Sequence, residues 1–339
     1  MESVIVTGGA GFIGSTFVNK LNNEGVDDIL IVDDLGTAAK WKNLLGLRYA
    51  DYLHKDAFLR KINSGKMDFT ARAVVHMGAC SRTSMLDMNY LMENNYRYTR
   101  LLAEWAVARG IRFIYASSAA TYGDGEHGFS DRLDLDILRP KNGYAYSKYL
   151  FDCYAHHSGL SGQIVGLKFF NVFGPNEYHK KDMVSMVYRA FNQIQQSGKV
   201  ELFKSYRDGF SDGEQKRDFV YSKDCADILW WFLTNENING LFNVGTGEAR
   251  SWNELVRAVF WAMELAPHIV YIPMPEPLRQ NYQYFTQADL QQLNHVGCPV
   301  NFRPLEEAVY DYVANELVKR KSHHSSLNED YDNTKFCVF

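Results

Sequence analysis

Cysteine is scarce and scattered in this chain of 339 residues. Its five thiols, Cys80, Cys153, Cys225, Cys298 and Cys337, form no C-x-x-C pair and have no histidine at metal-ligand spacing. That argues against a disulfide framework and against a bound metal. Cys337 stands third from the end and not fourth, so Phe-Cys-Val-Phe is not a prenylation signal. A surplus of positive charge is also missing: 36 Lys and Arg against 40 Asp and Glu leave a net −4, and no nucleic-acid partner is expected. No apolar run approaches the roughly 18 residues that would span a bilayer. Met1-Glu2 passes straight into Val4-Ile5-Val6 without a basic leader. A cytosolic protein without a membrane partner is the expectation. The pairs His156-His157 and His323-His324 add no ligand set, because adjacent residues on a helix point away from each other.

What is present is the composition of an ordinary globular protein, 46% hydrophobic and 22% charged. Unbroken apolar runs at Val4 to Thr7, Ile29 to Asp33, Ala73 to His76, Ile111 to Ser117 and Gln163 to Phe170 predict strands buried on both faces. Helical spacing over Phe12 to Asn23 and Tyr90 to Arg109 separates them. Strand and helix in alternation predict an α/β fold, a Rossmann-like doubly wound parallel sheet, with a smaller interleaved substrate domain. Residues 1–170, with about 217–247 and 285–298, are assigned to dinucleotide binding. About 171–216 and 248–284, with 299–320, are assigned to the substrate domain, and 321–339 to a loosely ordered tail. Trp230, Trp231 and Phe232 read as core or interface.

Thr7-Gly8-Gly9-Ala10-Gly11-Phe12-Ile13-Gly14 follows the first strand and opens a helix. Gly8 suits a tight turn, Gly11 lets the backbone approach a pyrophosphate, and Gly14 lets the helix pack close to the strand. The phosphates would sit on free N–H groups at the helix N-terminus. Asp33 ends the next strand, 19 residues beyond Gly14, where an acid would bond the adenosine ribose and favour NAD. Lys40 and Lys55 could each reach a 2′-phosphate or be solvated surface lysines, so the pattern leaves the choice between NAD and NADP open.

Tyr144 and Lys148 are four residues apart and share one helix face. An ammonium nearby stabilises phenolate, which should lower the tyrosine pKa from about 10 towards neutrality and make Tyr144 a usable base. Ser118, in Ala116-Ser-Ser-Ala-Ala-Thr-Tyr-Gly123, is placed at a strand end to bond the same oxygen.

Gly8 to Gly14, Asp33, Ser118, Tyr144 and Lys148 together resemble the extended short-chain dehydrogenase/reductase family, in which Ser or Thr, Tyr and Lys assist hydride transfer to a nicotinamide. The likeness continues through Gly78 to Ser81, Asn94 to Tyr96, Phe170 to Pro175, Arg217 to Tyr221 and Phe242 to Gly247, and runs to about residue 315. Through Ala116 to Gly123, His179-Lys180 and Phe285 to Leu290 it resembles more narrowly those epimerases that act on an ADP-linked heptose. The resemblance implies NADP held by Phe12, Ile13, Asp33, Asp34, Lys40, Lys55, Met77, Gly78, Ala79, Cys80, Ser81, Asn94, Lys148, Val172 and Lys180. It implies an ADP-heptose pocket lined by Ser118, Asn171, Asp182, Arg189, Arg217 and Tyr282, with Phe203, Lys204, Ser205 and Tyr206 against the ADP part. It also implies a homo-oligomer. A hydroxyl-bearing carbon next to no carbonyl has no acidic hydrogen, so inversion there requires transient oxidation. The carbonyl formed re-presents its other face, which calls for an acid/base on each side, and the resemblance gives these roles to Tyr144 and Lys180.

The chain departs from that family's pattern at Met77, at Asp182, at Arg189 and in an inserted loop over 207–215. A UDP-, GDP- or dTDP-hexose epimerase or 4,6-dehydratase is the competing enzymatic reading. A dehydratase should carry acidic residues beside the catalytic serine, whereas Ala119, Ala120 and Thr121 follow Ser118. A non-catalytic dinucleotide sensor would be expected to lose Tyr144 or Lys148, and both are present. His179, with no Asp or Cys neighbour, reads as a hydrogen-bonding or surface residue.

Overall fold

The computed structural model describes residues 3–279 and 282–320. The chain begins with β1 (Val4–Thr7), α1 (Phe12–Asn23), β2 (Ile29–Asp33), β3 (Asp51–His54), α2 (Lys55–Asn63) and β4 (Ala73–His76). A long helical run follows, from α3 (Met88–Leu91) through a π-helical segment, Met92–Arg97, into α4 (Tyr98–Val107). Then come β5 (Arg112–Ser118), α5 (Gly143–His157), β6 (Val165–Phe169), β7 (Asn171–Phe173) and α6 (Met186–Ser197). Next are β8 (Val200–Phe203), β9 (Lys216–Tyr221), α7 (Ser222–Thr234), β10 (Gly240–Val244) and β11 (Ala249–Ser251). The last elements are α8 (Trp252–Ala262), β12 (Ile269–Ile272), α9 (Glu276–Arg279), α10 (Gln291–His295) and α11 (Leu305–Tyr310), which continues π-helically through Val318. The tail expected over 321–339 lies outside the described residues.

Seven strands pair in parallel in the order β10-β6-β5-β4-β1-β2-β3. Successive residues of a strand face opposite sides, and here both sides are covered. Val4, Val6, Ile29 and Ile31 pack with Phe17 and Leu21 of α1 and Ile228 and Phe232 of α7. Ile5, Leu30 and Val32 pack with Phe58 of α2, Leu102 of α4 and Phe151 of α5. The continuous apolar runs arise from this two-sided burial. Phe232 is fully buried, and Trp230 and Trp231 pack against the same core.

Beside the large sheet, β7, β9 and β11 form a three-stranded sheet and β8 pairs with β12. A third core joins Phe191 of α6, Val256 and Phe260 of α8, and Val309 and Tyr312 near the C-terminal helix. Among the described residues, no helix is long and apolar enough to cross a membrane.

α6 starts at Met186 because Ser185 is extended and caps it through the Tyr188 N–H at 3.3 Å. Met183 belongs to a separate tight turn, Tyr178–Met183. Strand order reverses about β1, which pairs with β2 on one side and β4 on the other. The loops leaving β1 and β4 therefore diverge and open a crevice at the carboxyl ends of the strands.

Candidate active site

That crevice is a cavity of about 430 Å³, within the usual range for small-molecule sites. Its floor is the loop after β1. Gly8 has φ +67°, and a Cβ on Gly14 would lie 2.0 Å from the Gly8 carbonyl oxygen, so no other residue fits without moving backbone. Gly11 is the N-cap of α1 and offers no side-chain acceptor, which leaves the first-turn N–H groups free for an anion. Asp33 is buried and accepts from the Ala10 N–H at 2.8 Å and the Asp34 N–H at 2.7 Å, while the Lys40 ammonium pairs with it at 2.5 Å. The aspartate thus orders the glycine loop as well as standing at the strand end. The cradle and its phosphate-ready amides fit a dinucleotide.

The opposite wall is Met77, Gly78, Ala79, Cys80 and Ser81 after β4, together with Asn94. Lys55 donates to Asn94 Oδ1 at 2.7 Å, so its ammonium is held at the cavity's rim. Buried Asn95 exchanges bonds with the Cys80 backbone at 2.8 and 3.0 Å and donates to Ser147 Oγ at 3.0 Å, locking this wall to α5.

Ser118, Tyr144 and Lys148 line the same cavity. Asn142 caps α5 through the Ala145 N–H at 2.8 Å, which places Tyr144 in the first turn and Lys148 one turn on. The expectation that Lys148 would bring Tyr144 towards neutrality is not met. Burial pushes the Tyr144 pKa above its ordinary value, with hydrogen bonding to Ser118 pulling it down. The Lys148 ammonium instead donates to the Ala116 carbonyl at 2.8 Å, and burial lowers its own pKa to about 8 against the pull of Asp152. In this dry setting the charged form of each group is disfavoured. Behind them lies a wholly buried ion pair, Lys168 Nζ to Asp152 Oδ2 at 2.8 Å. Asp152 also accepts from Tyr115 at 2.9 Å and Ser117 at 2.7 Å, and Lys168 donates to Thr121 at 2.6 Å.

Val172, His179 and Lys180 reach the cavity from the far side of the fold. The Lys180 ammonium stands 4.8 Å from the Phe12 ring centroid, and burial lowers its pKa while Glu177 raises it. His179 is half-buried and shares a 3.2 Å contact with Asn43, as a hydrogen-bonding histidine should. Burial takes its pKa down to about 4.

Apart from Ser118, the residues assigned to the sugar nucleotide lie outside this cavity. Arg217 is buried, donates to the Lys216 and Gln283 carbonyls, and stacks near Trp252 and Tyr282. Tyr282 accepts from Trp252 Nε1 at 2.9 Å. Tyr206 lies under the Arg279 guanidinium at 3.8 Å, beside Phe203, Lys204 and Ser205 at the end of β8. Asn171 is exposed, with Thr286 Oγ1 at 3.4 Å. Asp182 and Arg189 are exposed and joined by a bond from Arg189 to the Asp182 carbonyl. Sequence reasoning passed over Thr7, Val32, Tyr90, Tyr98, Ser117, Phe169 and Phe170, which also line the cavity. Five of these are at or next to strand carboxyl ends, the one signal that could have found them.

The model of the NAD dependent epimerase/dehydratase family matches residues 4–245. An ADP-L-glycero-D-manno-heptose-6-epimerase of Nitratidesulfovibrio vulgaris strain Hildenborough is 54% identical over 321 residues, covering 94% of this chain and 99% of that protein. The protein of that name from Fusobacterium nucleatum is 46% identical over 333 residues, again covering 94% and 99%. Among solved structures, the Helicobacter pylori ADP-L-glycero-D-manno-heptose-6-epimerase superposes with a TM-score of 0.78 at 27% identity, covering 93% of this chain and 96% of that one.

Proposed function

The chain belongs to the NAD dependent epimerase/dehydratase family, and from that premise we propose that it inverts C6 of the heptose in ADP-D-glycero-D-manno-heptose to give the L-glycero epimer. The observation that carries the reading is the 54% and 46% identity, over nearly the full length of both partners, to two proteins that bear the name of that activity. The bound nicotinamide supplies reversible removal and return of hydride. NADP is the proposed form: Lys40 and Lys55 both line the cavity around Asp33 and offer charge-assisted bonds to a 2′-phosphate.

The chain's own residues do the rest. Gly11 to Gly14 hold the pyrophosphate, and the wall from Met77 to Ser81 with Asn94 orients the dinucleotide. Ser118 and Tyr144 bond the substrate oxygen, and Lys148 holds the ribose and the local charge. Tyr144 and Lys180 move the proton of the C6 hydroxyl in the two senses of the reaction. Arg217, Tyr282 and the strip from Phe203 to Tyr206, with Asn171, Asp182 and Arg189, hold the sugar nucleotide.

Incubation with ADP-D-glycero-D-manno-heptose, followed by NMR of the C6 centre, tests the activity; an unchanged spectrum with cofactor-loaded protein would refute it. Lys180→Met should stop epimerisation of both C6 epimers while Lys181→Met changes little. Equal, small effects at the two positions would remove Lys180 from the reaction.

A further inference from the structure

Lys180 rides on a turn that is held from two sides. On the side of the glycine loop, Asn43 Nδ2 lies 3.0 Å from the Ala10 carbonyl, 3.0 Å from the Asn176 carbonyl and 3.2 Å from His179 Nδ1, and Asn176 donates to Ser15 Oγ at 3.0 Å. On the other side is Glu177, whose carboxylate is wholly buried. Its Oε1 accepts from Ser185 Oγ at 2.6 Å and from Tyr312 OH at 3.1 Å, and its Oε2 accepts from the Ser185 N–H. The donors come from the N-terminus of α6 and from the C-terminal helix, so one carboxylate ties three segments together. Asn176, just before the turn, and Lys181, within it, have φ of +75° and +52°. Positive φ is unfavourable in residues other than glycine, and it persists only where the surroundings over-determine it.

A buried carboxylate needs a counter-charge or several donors. Glu177 has three donors and forms no ion pair within bonding distance among the described residues; burial raises its pKa, and Lys180, one helical turn away, pulls it back down together with those donors. Among the described residues, Glu177 is the carboxylate that acts on the Lys180 charge, against the lowering by burial. Resting on the reading of Lys180 as an acid/base, we infer that Glu177 is its positioning residue: it fixes the Tyr178–Met183 turn so that the ammonium stands over Phe12 at the cavity wall.

The other ionisable groups around the turn are accounted for. His179 titrates near 4, beside Lys40 and Asp33. Tyr178 lies under Arg320 at 3.7 Å, and Tyr312 is held far above its ordinary range by burial. Where Glu177 is ionised its charge raises the Lys180 pKa, so removing that charge moves the limb of the pH–kcat profile that Lys180 controls to lower pH.

The test compares Glu177→Gln, Tyr312→Phe, Lys180→Met and the double variant Glu177→Gln/Lys180→Met as cofactor-loaded protein. Glu177→Gln should lower kcat by about tenfold or more, the scale of misplacing a catalytic group, with KM and bound cofactor little changed and the pH limb shifted downwards. Tyr312→Phe, remote from the cavity, should lower kcat in the same sense by a smaller factor, and it carries the test if Glu177→Gln does not fold. In the Lys180→Met background, where epimerisation is lost and cofactor reduction by a heptose epimer is the readout, Glu177→Gln should cost nothing further. If Lys180→Met is inactive but Glu177→Gln and Tyr312→Phe keep the kcat and pH profile of the parent, the inference is overturned while the reading of Lys180 stands. If Lys180→Met is itself active, that reading fails first.

Discussion

Replacing Lys168 by methionine should cost about 3–5 kcal/mol, because it strands a buried carboxylate. Lys168 and Asp152 both have 0% side-chain exposure, and the ammonium also donates to Thr121 and lies 4.9 Å from the Tyr122 ring centroid. Methionine fills most of the volume, so the loss is electrostatic and not a cavity effect. Asp152 keeps the hydroxyls of Tyr115 and Ser117 but no bonded cation. Against a total stability of about 5–15 kcal/mol this is a large fraction. With an unfolding entropy of about 0.7 kcal/mol/K for a chain this size, the melting temperature should fall by about 4–7 °C. Asp152 is on α5, two turns beyond Tyr144, so turnover should fall with it. Urea and thermal unfolding of the single variant and of Lys168→Met/Asp152→Asn check the reasoning. The double variant removes both charges, keeps an acceptor for Tyr115, and should recover at least about 2 kcal/mol. A single-variant loss under about 1 kcal/mol, or a second substitution that only adds to the loss, would refute it.

Tyr144→Phe should keep fold and bound cofactor but lose at least about two orders of magnitude in turnover, the usual scale of acid/base assistance; a near-parental rate would take Tyr144 out of the reaction. The nucleotide extracted from purified protein should be NADP, since each charge-assisted bond from Lys40 or Lys55 is worth about 1.5–3 kcal/mol. Recovery of NAD alone would overturn that choice.

The large sheet was legible because its central strands are buried on both faces. Val4 to Thr7 and Ile29 to Asp33 begin and end where the apolar runs do. The edge strand Asp51–His54 was not legible: its residues are at least partly exposed, so it carries no apolar run to read. Gly240–Val244 on the other edge is likewise only partly apolar, and its partner Val165–Phe169 is 75 residues earlier in sequence. The three-residue strands β7 and β11 are too short for any period to register. Parallel pairing across such distances is decided by the assembled sheet and not by local spacing.

The site divides along the same line. Gly8 to Gly14, Asp33, Ser118, Tyr144 and Lys148 could be read from the residues because each job depends on a neighbour within one strand–helix unit: a turn, a strand end, or one helix face. Lys180 could not, since its surroundings are built from Phe12 in α1, Asn43 before β3, Ser185 at the start of α6 and Tyr312 near the chain's end. From the residues alone, His179-Lys180-Lys181 is a basic loop. The pKa of Tyr144 was misread for a related reason. Spacing on a helix shows that an ammonium can come near, but the sign of the shift depends on how much water the fold removes, and in this cavity burial raises the Tyr144 pKa while the Lys148 ammonium donates to the Ala116 carbonyl. A motif can therefore propose Tyr144 and Lys148, while the pKa of each is set first by burial and then by neighbours such as Ser118 and Asp152 that lie outside the motif.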